Sequence, residues 1–140
     1  MRVVVDVNVW ISGFLWKGIP EKVLLLAENQ QITIFVSEVL LTELEITLNR
    51  LKFQPKIKAQ DSTVEVLMDT AQRLSNSIPI TSVDVPQLRD PKDAMILATA
   101  LSANAEAIIT GDRDLLILTE FAGIPILTPQ NFLELYFPNS

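Results

Sequence analysis

Ala107-Ile108-Ile109-Thr110-Gly111-Asp112-Arg113-Asp114-Leu115-Leu116 decides how the rest of the chain is read. The apolar run at its start reads as a short buried strand, and Thr110-Gly111 ends it as a turn. Two carboxylates, Asp112 and Asp114, follow at once. In an open parallel sheet, ligands bind outside the carboxyl ends of the strands. The N-terminus repeats the pattern: Arg2-Val3-Val4-Val5 reads as a second buried strand and is followed by Asp6. If the two strands are neighbours, their carboxylates share one pocket. Taken alone, Asp112 is more simply a helix N-cap, because Asp is a preferred cap. The repetition at Asp6 is what favours a site.

Outward from these strands, apolar runs alternate with helical patterns. After Asp6, a tight loop is expected to lead into a short apolar helix that ends near Lys17-Gly18, and Pro20 suits the first turn of a helix from Glu21 to Asn29. Gln31 to Val36 reads as a strand. Ser37 caps a helix whose apolar stripe is Leu40, Leu44, Leu48 and Leu51. Glu43 lies beside that stripe on the face of Thr47 and Arg50, where its plainest role is an intrahelical ion pair. Phe53-Gln54-Pro55 breaks this helix, and another is expected from about Gln60 to Ser75, with Val64, Leu67, Met68, Ala71 and Leu74 inward. Ile78-Pro79-Ile80-Thr81 reads as an edge strand, since proline is denied a central place.

Leu88-Arg89-Asp90-Pro91-Lys92-Asp93 opens the most buried helix. Asp90 fits the N-cap, Pro91 the first helical residue and Asp93 the third, which resembles a capping box. A helical turn over Leu115 to Phe121, an edge strand Gly123 to Leu127 and a Thr128-capped helix from Pro129 to Tyr136 complete the pattern. Strands alternating with helices imply an α/β fold with a parallel sheet.

A length of 140 residues suits one domain, residues 1–140. No run of 18 or more apolar residues is present, so no membrane span is expected. No signal-peptide pattern follows Arg2, and a cytoplasmic protein is the expectation. Cysteine is absent, which excludes disulfides, thiolate metal sites and cysteine nucleophiles. Histidine is absent too, which excludes a Ser-His-Asp triad, a histidine base and a histidine-ligated zinc site. The remaining chemistry is mostly carboxylate and lysine, and carboxylates with water suit magnesium or manganese.

The net charge of −6 argues against a phosphate-backbone binder, but its distribution qualifies that. From Ile46 to Gln60 there are four basic residues, Arg50, Lys52, Lys56 and Lys58, and no acid. This segment is either a solvated loop or a basic arm beside the site. Trp10, Phe14 and Trp16 crowd one short helix, and an exposed aromatic patch there would favour a homodimer, with all three rings in the core as the alternative.

Asp6, Glu43, Asp93 and Asp112 come from two strand ends and two helices, and all four can converge at the top of the sheet. Carboxylates held that close raise each other's pKa, and a divalent cation resolves the conflict. At these residues the chain resembles the PIN-domain ribonucleases. The resemblance is carried by Val5-Asp6-Val7-Asn8 with Ser12, Ser37 through Leu44, Asp90-Pro91-Lys92-Asp93 leading to Ala98 and Ala100, Thr110 through Asp114, and Ile126-Leu127-Thr128-Pro129 with Phe132-Leu133. Each motif alone is weak; their order and spacing together are specific.

The resemblance implies a three-layer fold with a central parallel sheet of order 3-2-1-4-5 flanked by helices. It also implies a metal-dependent endoribonuclease using Mg²⁺ or Mn²⁺, and it is strongest with the toxins of toxin–antitoxin pairs, so that a cognate antitoxin is an expected partner. It matches Asp6, Glu43, Asp93 and Asp112 to the acids that hold the metal, Asn8 to the polar position after the first acid, and Thr110 and Asp114 to the polar residues flanking the fourth. Ser12 and Asp90 fall among the supporting polar positions. The chain departs from the pattern at Ala94, where many relatives carry Asp or Asn, and this leaves Asp90 as the rival of Asp93 for third ligand; Asp93 is the choice. The alternative is a PIN-like interaction module without activity. A receiver domain would need a lysine after the last strand, where Thr128-Pro129 stands, and a two-Asp phosphatase would need Asp at position 8, which is Asn.

Overall fold

Val3, Val4 and Val5 are fully buried, and strand alternation sends Val3 and Val5 into one core and Val4 into the other. Burial on both faces is what a central parallel strand requires. In the computed structural model, which describes residues 1–80 and 90–139, this strand is β1 (Arg2–Val5). There follow α1 (Val7–Leu15), α2 (Ile19–Glu28), β2 (Thr33–Val36), α3 (Glu38–Leu48), a 3-10 turn (Leu51–Phe53), α4 (Gln54–Ala59), α5 (Val64–Leu74) and β3 (Ser75–Ser77). The second half holds α6 (Pro91–Ser102), β4 (Ala107–Ile109), α7 (Arg113–Leu116), β5 (Glu120–Phe121), β6 (Ile124–Leu127) and α8 (Pro129–Tyr136).

The sheet order is β3-β2-β1-β4-β6-β5, parallel throughout except for β5, which runs antiparallel to β6. The five parallel strands therefore take the expected order 3-2-1-4-5, and β5 is an addition at the far edge. β1 lies between β2 and β4, with Val5 opposite Ile109. One face of the sheet is covered by residues of α1, α2, α3, α5 and α8, among them Trp10, Leu26, Leu44, Met68 and Phe132. The other is covered mainly by α6 and α7 through Ile96, Leu97, Ala100 and Leu115. These are the three layers of the fold. Gly13 lets α1 and α2 approach closely, because a Cβ there would stand 2.6 Å from Leu24 Cδ1 and 3.1 Å from the Pro20 carbonyl oxygen.

Several local expectations are corrected. α1 begins directly at Val7, with no loop after Asp6. The third strand is Ser75–Ser77 rather than Ile78 onward, because α5 ends at Leu74 and pairing with β2 starts at once; the Ile78 N–H still reaches the Val36 carbonyl at 2.9 Å. Thr81 and Leu88-Arg89 lie outside the described residues. Leu51 is 88% exposed and falls past the end of α3, so it does not extend the apolar stripe. The helical turn expected through Phe121 stops at Leu116. Ala122 (φ 51°) and Gly123 (φ 80°) then form a two-residue turn joining β5 to β6, with Phe121 opposite Ile124. Two positive φ values suit such hairpins, but Ala is a poor signal for one. β6 is consequently not at the edge. Pro125 is tolerated because the ribbon is two residues long and its bond is made by the Ile126 N–H to the Thr119 carbonyl, 3.0 Å.

Candidate metal centre

The ends of β1 and β4 are tied together by backbone and side chain. The Asp6 N–H donates to the Ile109 carbonyl at 2.9 Å, which continues the parallel ladder one residue past Val5. Beneath it, the fully buried Thr110 hydroxyl donates to Asp6 Oδ2 at 2.6 Å and accepts the Asp112 N–H at 3.0 Å. One hydroxyl thus fixes the first acid and the backbone of the last. Asp112 is also the N-cap of α7, its Oδ1 accepting the Asp114 N–H at 2.8 Å. Capping and site membership are therefore not alternatives for this residue.

Two helices close the site from the other side. Asp90 caps α6 by accepting the Lys92 N–H at 2.9 Å, which leaves Asp93 in the first turn, 5% exposed. Asp93 lies on the cavity wall, with a carboxylate oxygen within 4.8 Å of one of Asp112. Ser37 caps α3, its Oγ accepting the Leu40 N–H at 3.4 Å. That helix delivers Glu43, which accepts from the Thr47 hydroxyl at 3.3 Å and from Lys92 Nζ at 2.9 Å. The expected intrahelical ion pair of Glu43 is replaced by this pair between helices.

Asp6, Glu43, Asp93 and Asp112 all line one cavity of about 200 Å³, with Asn8, Asp90, Arg50 and Lys92 also on its wall. One carboxylate oxygen each of Asp93, Asp112 and Asp114 lie within 4.8 Å of one another, the one such cluster among the described residues. Asp114, expected only as a flanking residue, thus belongs to the tightest acid group. Ser12, farther along α1, does not line the cavity. Nor do Lys52, Lys56 and Lys58; Lys52 lies over the Phe53 ring at 5.0 Å and Lys56 over Trp16 at 5.5 Å. Trp10 is 2% exposed and Phe14 packs against the same core, so the aromatic patch reduces to Trp16. Lys92 and Thr47, to which the sequence assigns no site role, also line the cavity.

The electrostatics follow from the crowding. Burial pushes the Asp93 carboxyl up to about 7, helped by the negative charge of Asp112, the hydrogen bond with it, and the charges of Asp90 and Asp6. Burial also raises Asp6; the Thr110 hydroxyl pulls it back, and the Asp112 charge adds to the rise. An all-oxygen donor set under mutual repulsion fits a hard divalent cation.

The PIN domain family matches residues 2–114. No curated protein matches the chain. Among solved structures, the chain is similar to a chain in the crystal structure of VapBC2 from Rickettsia felis bound to a DNA fragment from their promoter. The TM-score is 0.59 at 15% identity, over 90% of this chain and 97% of that one, a likeness of fold. The family match begins with β1 and ends at Asp114, so it takes in every acid on the cavity wall, and the chain belongs to the PIN domain family.

Proposed function

We propose that residues 1–140 form one metal-dependent endoribonuclease domain that hydrolyses RNA phosphodiester bonds as the toxin of a toxin–antitoxin pair. The observation that carries this reading is the convergence of Asp6, Glu43, Asp93 and Asp112 on one cavity at the carboxyl ends of β1 and β4. Their carboxylates would hold a Mg²⁺ or Mn²⁺ ion, with Asp114 beside Asp93 and Asp112. When bound, such an ion supplies a polarised phosphate and a water acidic enough to attack near neutral pH.

The remaining roles belong to the chain itself. Thr110 holds the Asp6 carboxylate in place through its hydroxyl. Asp93, with its pKa near neutrality, carries a proton part of the time in the cation-free site, and that proton must leave before the group can act as a ligand. Arg50, on the cavity wall, is suited to a phosphate next to the scissile one. Lys52, Lys56 and Lys58 lie on the segment that follows and would extend the grip along the backbone without sequence choice.

The likeness to a chain of VapBC2, described as bound to promoter DNA, supports an antitoxin partner and cytoplasmic action. Among the described residues, no helix is long and apolar enough to cross a membrane. A homodimer would be built on Trp16, which of the three rings is the one substantially exposed, at 47%; sedimentation at micromolar concentration decides it. The test of function is incubation with single-stranded and structured RNA under Mg²⁺, Mn²⁺ or chelator. Cleavage with either ion and none with chelator is expected. Cleavage that persists in excess EDTA, or none with either ion, contradicts the reading.

A further inference from the structure

The pair between Lys92 and Glu43 spans 49 residues of sequence and joins α6 to α3 across the cavity wall, with Lys92 Nζ 2.9 Å from Glu43 Oε1. Lys92 sits in the first turn of α6, beside the Asp90 cap. A cation at that end of a helix faces the positive end of the dipole, so the helix itself disfavours it. Its placement is accounted for by what it reaches. Asp93 on the same turn is buried among acids, and Glu43 lines the same cavity. The Lys92 side chain is 57% exposed and that of Glu43 20% exposed, so the lysine can leave for solvent while the carboxylate stays in the wall. Pairs of that exposure are weak.

We propose that Lys92 is the internal counter-cation of the metal-free site: its ammonium occupies Glu43 until a divalent ion takes that carboxylate, and it is then released to solvent. The inference rests on the proposed reading that these acids hold a metal. It assigns Lys92 a positioning role, keeping Glu43 oriented and the acid group tolerable before loading, at the expense of affinity for the ion.

The test is Mn²⁺ titration by calorimetry without RNA, on wild type, Lys92→Gln, Lys92→Arg, Glu43→Gln and the Lys92→Gln/Glu43→Gln double variant. Lys92 is largely exposed, so its replacement leaves the core untouched. Lys92→Gln should bind Mn²⁺ about three- to fivefold more tightly than wild type. Lys92→Arg, which keeps the charge, should stay near wild type. In the Glu43→Gln background the gain from Lys92→Gln should largely disappear, because the carboxylate over which lysine and ion compete is gone. An unchanged Kd for Lys92→Gln overturns the inference, as does an equally large gain in the Glu43→Gln background, which would mark a general field effect. A wild type that binds no Mn²⁺ overturns the metal reading together with it.

Discussion

The acid cavity has two walls of different construction. The wall at the ends of β1 and β4 is fixed: Asp6 is 5% exposed, Thr110 is fully buried, and the 2.6 Å and 3.0 Å hydrogen bonds of Thr110 lock both to the sheet. The wall made by α3 is adjustable at its rim, where Glu43 meets a largely exposed lysine of α6. Buried strand ends cannot move without breaking ladder bonds, whereas a long side chain on a helix can exchange partners at little cost. The contrast gives the site a preformed floor and an adjustable rim.

The floor should give the largest effects when broken. Asp112→Asn and Asp6→Asn should each lower RNA cleavage by on the order of a hundredfold or more, since each removes a charge from the proposed ion site. Asn keeps an acceptor for the Thr110 hydroxyl at position 6 and remains a good cap at position 112. The metal-free variants should therefore melt no lower than wild type. A large drop in melting temperature would assign these acids to capping or packing instead.

Next in size is the basic segment beyond the rim. Replacing Lys52, Lys56 and Lys58 by Gln should weaken RNA binding and flatten the slope of log affinity against log salt by about 2, while leaving the cleavage pattern unchanged. A filter-binding series across salt checks it, and an unchanged slope would make these residues a solvated face of the 3-10 turn and α4, with no part in RNA binding.

Thr110→Val sharpens the contrast from inside the floor. It strips the donor from Asp6 Oδ2 and the acceptor from the Asp112 N–H, both at least partly buried. A loss of about 1–3 kcal/mol of stability is expected in denaturant unfolding.

Comparable in size to the Thr110 effect is that of pH on the metal-free protein. Asp93 rises from an ordinary 3.8 to about 7 on folding, so between those values the native state binds the extra proton. Its contribution to stability is greatest below the lower value and is lost as pH rises through about 7. The metal-free melting temperature should climb as pH falls from 8 to 5, and Asp93→Asn should remove that climb.

What the sequence shows of this site depends on how local each signal is. Strand ends are local, so Asp6 and Asp112 are legible in the sequence, whereas their adjacency follows from the pairing of β1 with β4, which the residues alone leave open. Caps are local as well, and Ser37, Asp90 and Thr128 stand where expected. The partnership of Lys92 with Glu43 is not local; it depends on how α6 lies against α3, and no periodicity records that. Asp114 joins Asp93 and Asp112 only because α7 starts so soon after β4. The Trp10, Phe14 and Trp16 spacing fits a core stripe as well as a surface patch, and the packing of α1 puts the first two inside. The third strand is not legible, because Ser75-Asn76-Ser77 has little strand propensity and is a strand through its pairing with β2.

The central claim is that the acids of the floor and rim together hold a divalent ion, and thermal unfolding with added Mn²⁺ measures it most directly. An ion that binds only the native state stabilises it by about 2.7 kcal/mol at a hundred times its Kd. Wild type should melt several degrees higher in Mn²⁺ than in chelator, and Asp112→Asn should show little or no shift. A wild-type melting temperature indifferent to Mn²⁺, or a shift of equal size in Asp112→Asn, would contradict the claim.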